Sequence, residues 1–313
     1  MIELRKDYIL NRWVIISEGR KDRPREFRKQ AQLKQEGVCY FCPSNESLTP
    51  KEIGRVEENG RWKIRWFLNK FPFVLAEGSP AFKRKGLFES GNAYGFHEIL
   101  VETQEHDKQF SGATPAEMAA VFRVIVGRIK ELSARKGIKY VAVFKNHGPD
   151  GGTSLVHSHL QVVAYNKIPT LVQEEVKKST KGKCAYCRVI KQESKSPRAL
   201  FENSSFVSFA PFASRFNYEA WVFPRKHYKS IIELSDKELT DLAEMMKKIL
   251  GKLAAAINPS YNFFIHNAPK GNNLHFHIEI TPRIATWAGF EFQTGEVINS
   301  VSPESAAEFY REG

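Results

Sequence analysis

Residues 146–165, "NHGPDGGTSLVHSHLQVVAY", decide how the rest of the chain is read. Three histidines and three glycines stand in front of an apolar run with the look of a strand. In a strand, residues two apart share a face, so His157, His159 and Gln161 point one way while Val156, Leu160 and Val162 point the other. One face is then built for polar chemistry and the other for a core. The glycines ahead of it let the backbone come close to a ligand.

The histidine pair occurs twice. Cys39 and Cys42 of "CYFC" are followed, 145 residues on, by Cys184 and Cys187 of "CAYC". Thr114 with Glu117, a capping box ahead of an amphipathic run closed by Gly137, is matched 121 residues later by Ser235 with Glu238. The same 121 separates His106 from His227 and Asn146 from Asn267. The offset then falls to 118, which sets His275 opposite His157 and His277 opposite His159. Each copy reads as strand, helix and two strands, an α+β unit with a mainly antiparallel sheet. The halves are residues 1–170 and 171–313, with a linker near 166–183.

At 313 residues and 42% hydrophobic content there is ample material for a core. No window is apolar enough to span a bilayer, and the N-terminus carries charges inside its apolar stretch, so a soluble cytoplasmic protein is expected. The formal charge of +12 points to nucleic acid or to small phosphorylated substrates and does not choose between them.

Two C-x2-C pairs in a reducing compartment suggest metal before disulfide, and Pro43 directly after Cys42 fits a metal knuckle better than a thioredoxin-like helix start. Structural zinc takes four N or S ligands. Cys39, Cys42, His106 and His157 supply one set, and Cys184, Cys187, His227 and His275 a second, giving two structural zinc ions per chain. His97, His147, His266 and His277 read as hydrogen-bonded structural residues. Glu279 stands where the first copy has Gln161, and a carboxylate there would repel a phosphate, so the second copy is expected to be catalytically silent.

With these residues in place the chain resembles the galactose-1-phosphate uridylyltransferase family, the transferase branch of the histidine-triad superfamily. The likeness covers nearly the whole chain. "RKDYILNRWVIISEGRKDRP" is similar to the family's N-terminal segment, whose arginines approach nucleotide phosphates, here Arg20 and Arg23. "LNKFPFV" resembles its nucleoside-binding stretch, with Asn69 as the matching residue. Asn146, Gly152, Ser154, His157, His159 and Gln161 fall at the family's spacing. Phe290 and Glu291 match a sugar-contacting region that reaches the site across a dimer interface.

The resemblance implies two tandem histidine-triad-like halves forming one pseudo-duplicated molecule. It also implies a double displacement in which His159 attacks the α-phosphorus of a nucleotide sugar, UDP-glucose, UDP-galactose or ADP-glucose. Hexose 1-phosphate then leaves, and Gln161 hydrogen-bonds the developing charge. A homodimer with no nucleic-acid or membrane partner is expected. Two departures bear on the acceptor. Ser158 stands where the family usually has Pro, a variant associated with its nucleoside-diphosphate-sugar phosphorylase relatives. Val297 stands where the uridylyltransferases carry a glutamine, so weak discrimination between sugar epimers is expected. A reading from another class, a zinc ribbon using all four cysteines on one metal in a nucleic-acid-binding protein, leaves the paired histidines without a role.

Overall fold

Leu160, Val162 and Ala164 pack into the main core together with Met118, Phe122 and Ile125, while His159 and Gln161 line clefts outside it. The alternation read in the sequence therefore holds from His159 onward, whereas Val156, expected on the core face, precedes the strand and lines a cleft beside His159. The computed structural model describes residues 2–22, 37–179 and 184–312.

In chain order, β1 (Ile2–Lys6) and β2 (Trp13–Ser17) precede the hairpin of β3 (Glu52–Glu58) and β4 (Arg61–Leu68). The short exposed pair β5 (Phe82–Lys85) and β6 (Phe88–Gly91) follows, then β7 (Gly95–Val101), α1 (Pro115–Ser133), β8 (Tyr140–His147) and β9 (His159–Tyr165). Helices α2 (Thr170–Lys178) and α3 (Ala185–Glu193) lead into β10 (Ala199–Glu202), β11 (Phe206–Phe209) and β12 (Ala220–Pro224). The chain closes with α4 (Asp236–Ala256), β13 (Tyr261–His266), β14 (His277–Pro282), α5 (Gly289–Thr294), β15 (Val297–Asn299) and α6 (Pro303–Arg311).

Ten of these strands form one antiparallel sheet in the order β10-β11-β12-β14-β13-β8-β9-β7-β4-β3. At its centre β8 pairs with β13, with Asn146 opposite Asn262 and Phe144 opposite Phe264. Outward from that seam the sequence of strands is the same on both sides: the strand after a long helix, the H-x-H strand, then the strand before the helix. The fold is thus mixed α+β with a large antiparallel sheet.

Both long helices begin with the expected capping boxes, Thr114 with Glu117 and Ser235 with Glu238. Each cap contributes about 1 kcal/mol by satisfying amide groups that the first helical turn leaves unpaired. Helix α1 stops at Ser133 with Ala134 as its cap, before the expected stop at Gly137, which takes φ +86° in the turn beyond. Helices α1 and α4 cover one face of the sheet with a common apolar core. The other face carries smaller clusters, around Phe41, Trp62 and Phe67 on one side and Tyr186, Trp221 and Phe223 on the other. Cysteine pairs and H-x-H histidines lie on this second face.

The segment expected as a linker holds α2, whose Glu175 is buried. No helix among the described residues is long and apolar enough to cross a membrane.

Candidate active site and metal centres

Cys39 and Cys42 sit in a tight loop whose backbone is held from two directions. Asn45 Nδ2 donates to the Cys39 carbonyl at 2.9 Å, and the fully buried Arg65 donates to the Tyr40 carbonyl at 3.3 Å. Against this loop stand His106, five residues after β7, and His157, just before β9. Cys39 Sγ lies 3.5 Å and Cys42 Sγ 3.6 Å from His157 Nδ1, and Cys42 Sγ 3.4 Å from His106 Nδ1. A tetrahedral zinc with ordinary Zn–S and Zn–N bonds separates sulfur and nitrogen ligands by roughly 3.5 Å. His157 Nε2–H donates to the Thr103 carbonyl at 2.8 Å, which leaves Nδ1 as the nitrogen with a lone pair for a metal. Burial, with Cys39 alongside, pushes the Cys42 thiol up to about 11, so a cation is what would hold it as a thiolate.

The second cluster repeats these relations. Cys187 Sγ is 3.3 Å from His227 Nδ1 and 3.4 Å from His275 Nδ1, with Cys184 completing the four. His227 Nε2–H donates to Asn273 Oδ1 and His275 Nε2–H to the Pro224 carbonyl, each at 2.9 Å. Both groups have the donors and spacing of a Cys2His2 metal site, and the Nε2 bonds of His157, His227 and His275 leave Nδ1 of each facing the cysteines. The four cysteines fall in two separate clusters, so a single ribbon on one metal does not form.

His159 follows its cluster by two residues. Its Nδ1–H donates to the His157 carbonyl at 2.9 Å; a carbonyl can only accept, so Nε2 is the ring nitrogen with the lone pair. Burial lowers its pKa to about 4, which keeps the ring neutral at pH 7. Phe41 packs edge-on against it at 5.3 Å between ring centroids. Two clefts meet at His159. One is lined by Asn146, Ser154 and the turn from Gly148 to Pro149, the other by Tyr40, Phe41, Asn69, Phe71 and Gln161. His97 joins two of these residues, its Nε2 lying 2.8 Å from Gln161 Oε1 and 3.1 Å from Asn69 Nδ2. Gly152 takes φ +83°, a conformation that favours glycine, at the bend of the loop.

The remaining expected residues lie elsewhere. Arg20 is exposed on a short 3-10 turn, and Arg23 lies outside the described residues. Phe290 and Glu291 are in α5, where the Glu291 carboxylate caps its own helix by accepting from Ala288 N at 2.9 Å. Val297 is buried in β15 opposite Val14.

The second H-x-H strand differs in a way the sequence reading misjudged. Glu279 is not a bare carboxylate: Arg215 donates to it and, at 3.0 Å, to Glu219. Glu175 of α2 binds His266 Nδ1 at 2.9 Å, and His266 stacks on His277 at 4.4 Å. Glu175, His266, His277 and Glu279 could together hold a cation, and Arg215 supplies positive charge there. His277 is fully enclosed. The sequence also left unread a buried ion pair under His159. Lys145 Nζ donates to Glu102 at 2.7 Å, to Ser158 Oγ at 2.9 Å and to the His159 carbonyl at 3.1 Å.

Residues 2–169 match the family described as galactose-1-phosphate uridyl transferase, N-terminal domain, and residues 95–309 match a domain of unknown function, DUF4921. The chain is 33% identical to an ADP-glucose phosphorylase of Arabidopsis thaliana over 99% of its length and 92% of the relative's. It is 27% identical to a galactose-1-phosphate uridylyltransferase of Thermotoga maritima over 100% of its length and 98% of that protein's. The crystal structure of an Arabidopsis thaliana ADP-glucose phosphorylase with bound ADP-glucose superposes with a TM-score of 0.87 at 30% identity, covering 100% of this chain and 99% of that one. The fold, the paired cysteine and histidine clusters and these matches together place the chain in the galactose-1-phosphate uridylyltransferase family.

Proposed function

We propose that the protein is a nucleotidyltransferase, a hexose-1-phosphate uridylyltransferase acting by double displacement through His159. The observation that carries this is the tautomer of His159, fixed by the His157 carbonyl so that the lone pair is on Nε2 beside two clefts. In the first half-reaction the Nε2 lone pair forms a bond to the α-phosphorus of UDP-glucose, and the bond from that phosphorus to the hexose 1-phosphate oxygen breaks. The departing phosphate has a second pKa of about 6 and leaves without a proton donor. In the second, a phosphate oxygen of the acceptor attacks the same phosphorus and the phosphorus–nitrogen bond breaks, restoring His159. Gln161, Ser154 and Asn146 line the clefts where the transferred phosphate would sit, and they can donate to oxygens that gain charge in the transition state. Arg20 and Arg23 would add positive charge from the N-terminal segment, and Asn69 would meet the nucleoside.

Zinc at each Cys2His2 site would act structurally, since four protein ligands leave no open position. The reading takes residues 1–170 as the catalytic half and 171–313 as a duplicated, silent half, which the symmetric strand order about the β8–β13 seam supports. It takes the working form to be a cytoplasmic homodimer. In support, Phe290 and Phe292 on α5 are 41% and 76% exposed, as expected if they meet a second copy's sugar site.

A second reading, an ADP-glucose or other nucleoside-diphosphate-sugar phosphorylase, uses the same first step with inorganic phosphate as acceptor, giving a nucleoside diphosphate. The 33% identity to the Arabidopsis ADP-glucose phosphorylase favours it. Incubating the protein with UDP-glucose or ADP-glucose, without acceptor, and weighing it intact separates the donors. Adding galactose 1-phosphate or inorganic phosphate then separates the acceptors. An unmodified mass with both nucleotides would remove the reading.

A further inference from the structure

The glycine turn that borders the cleft does not stand on its own half of the molecule. It lies on the first residues of β13. A Cβ on Gly151 would come within 2.9 Å of the Tyr261 carbonyl oxygen, the His147 ring stacks on Tyr261 at 4.6 Å, and Asp150 N donates to Ser260 Oγ at 3.3 Å. Within this contact one side chain is doubly engaged. Asn262 Nδ2 donates to the Gly151 carbonyl at 2.6 Å and to Asn146 Oδ1 at 2.9 Å.

These two bonds fix two amide orientations in turn. The Gly151 carbonyl can only accept, so the Asn262 amide must present its NH2 on that side. The second hydrogen of the same NH2 then requires an acceptor from Asn146, which must turn its Oδ1 toward β13. Asn146 Nδ2 is thereby directed away from β13 and toward Gly152, where an added Cβ would lie 3.9 Å from it. Asn146 lines the cleft beside His159, and an anionic phosphoryl group there needs a donor, not a carbonyl.

We propose that Asn262, from the half without the nucleophile, is a positioning residue that aims the Asn146 amide donor at the transferred phosphoryl group. The inference rests on the nucleotidyl-transfer reading above. It gives the second half a part in catalysis that does not depend on its own H-x-H strand. Asn262→Asp keeps the size of the side chain but replaces the NH2 with an acceptor, so Asn146 turns Nδ2 toward it and offers its carbonyl to the cleft.

The test is single-turnover formation of the His159 adduct at saturating sugar nucleotide, with melting temperature and zinc content measured in parallel. Asn262→Asp slows adduct formation roughly tenfold to a hundredfold, as expected when a transition-state donor is misdirected. Half-saturation by the sugar nucleotide changes by less than about threefold, since ground-state binding is largely untouched. In an Asn146→Ala background the same change adds less than about twofold, because there is no donor left to aim. Asn262→Ala, which leaves Asn146 free to turn, gives the same non-additive pattern if the aspartate variant fails to fold. A wild-type protein that forms the adduct while Asn262→Asp forms it equally fast overturns the inference alone. So does an Asn262 effect that adds in full to Asn146→Ala. A wild-type protein that forms no adduct overturns the functional reading and this inference with it.

Discussion

His159 Nδ1 donates to the His157 carbonyl at 2.9 Å, while His157 turns its own Nδ1 to within 3.5 Å of Cys39 Sγ. One dipeptide step thus joins a Cys2His2 cluster to the proposed nucleophile. Whatever fixes His157 also fixes the acceptor that selects the His159 tautomer.

The metal therefore should matter to stability first and to chemistry through it. Cys39→Ser is expected to remove one equivalent of zinc and lower the melting temperature by about 5 °C or more, with activity lost as a consequence. Metal analysis beside a thermal melt checks this, and zinc loss with an unchanged melt would contradict a structural role.

Under the same strand, Lys145 and Glu102 form an ion pair whose side chains are 2% and 3% exposed. Removing one partner leaves a buried charge without compensation, so Lys145→Met should destabilise by about 3–5 kcal/mol in urea unfolding. Adding Glu102→Gln should recover part of that loss. A Lys145→Met protein as stable as wild type would show that Glu102 finds another counter-charge.

The C-terminal helix gives a pH prediction. Burial alone would raise the Glu304 carboxyl, but bonds from Arg198 at 2.8 Å and Arg5 at 2.9 Å hold it below its usual value. A carboxyl lowered in the folded state contributes stability that is present above its unfolded pKa of about 4.3 and is lost as pH falls through the lower folded value. Glu304→Gln should accordingly reduce stability at neutral pH and flatten the decline between about pH 4.3 and the acid end. Melting curves across that range decide it, and an unaltered acid limb would count against the Arg5–Glu304–Arg198 link.

How much of this was legible in the sequence depends on distance along the chain. The capping boxes, the H-x-H alternation and the paired Cys and His sets were readable because each is a local pattern or recurs in the same order in the second half of the chain. The β3–β4 hairpin carried a readable signal that went unused, Asn59-Gly60, which adopts the positive φ angles of +53° and +72° that a two-residue hairpin turn needs. By contrast Glu175, Arg215 and Asn262 gained their roles only from tertiary contacts. Glu175 meets His266 from 91 residues away, and Asn262 meets Asn146 from 116. No periodicity reports such a pair. Glu279 was misjudged for the same reason, since its counter-charge on Arg215 lies 64 residues earlier.

The most direct measurement is to supply sugar nucleotide without acceptor and locate the trapped nucleotide by peptide mass mapping, alongside His159→Ala and His277→Ala. The adduct should sit on His159, be labile to acid and stable to base, and disappear with His159→Ala together with about a thousandfold or more of turnover. His277→Ala, at a fully enclosed ring, should retain it. A His159→Ala protein that still exchanges labelled hexose 1-phosphate into the sugar nucleotide at near wild-type rate would contradict the double displacement.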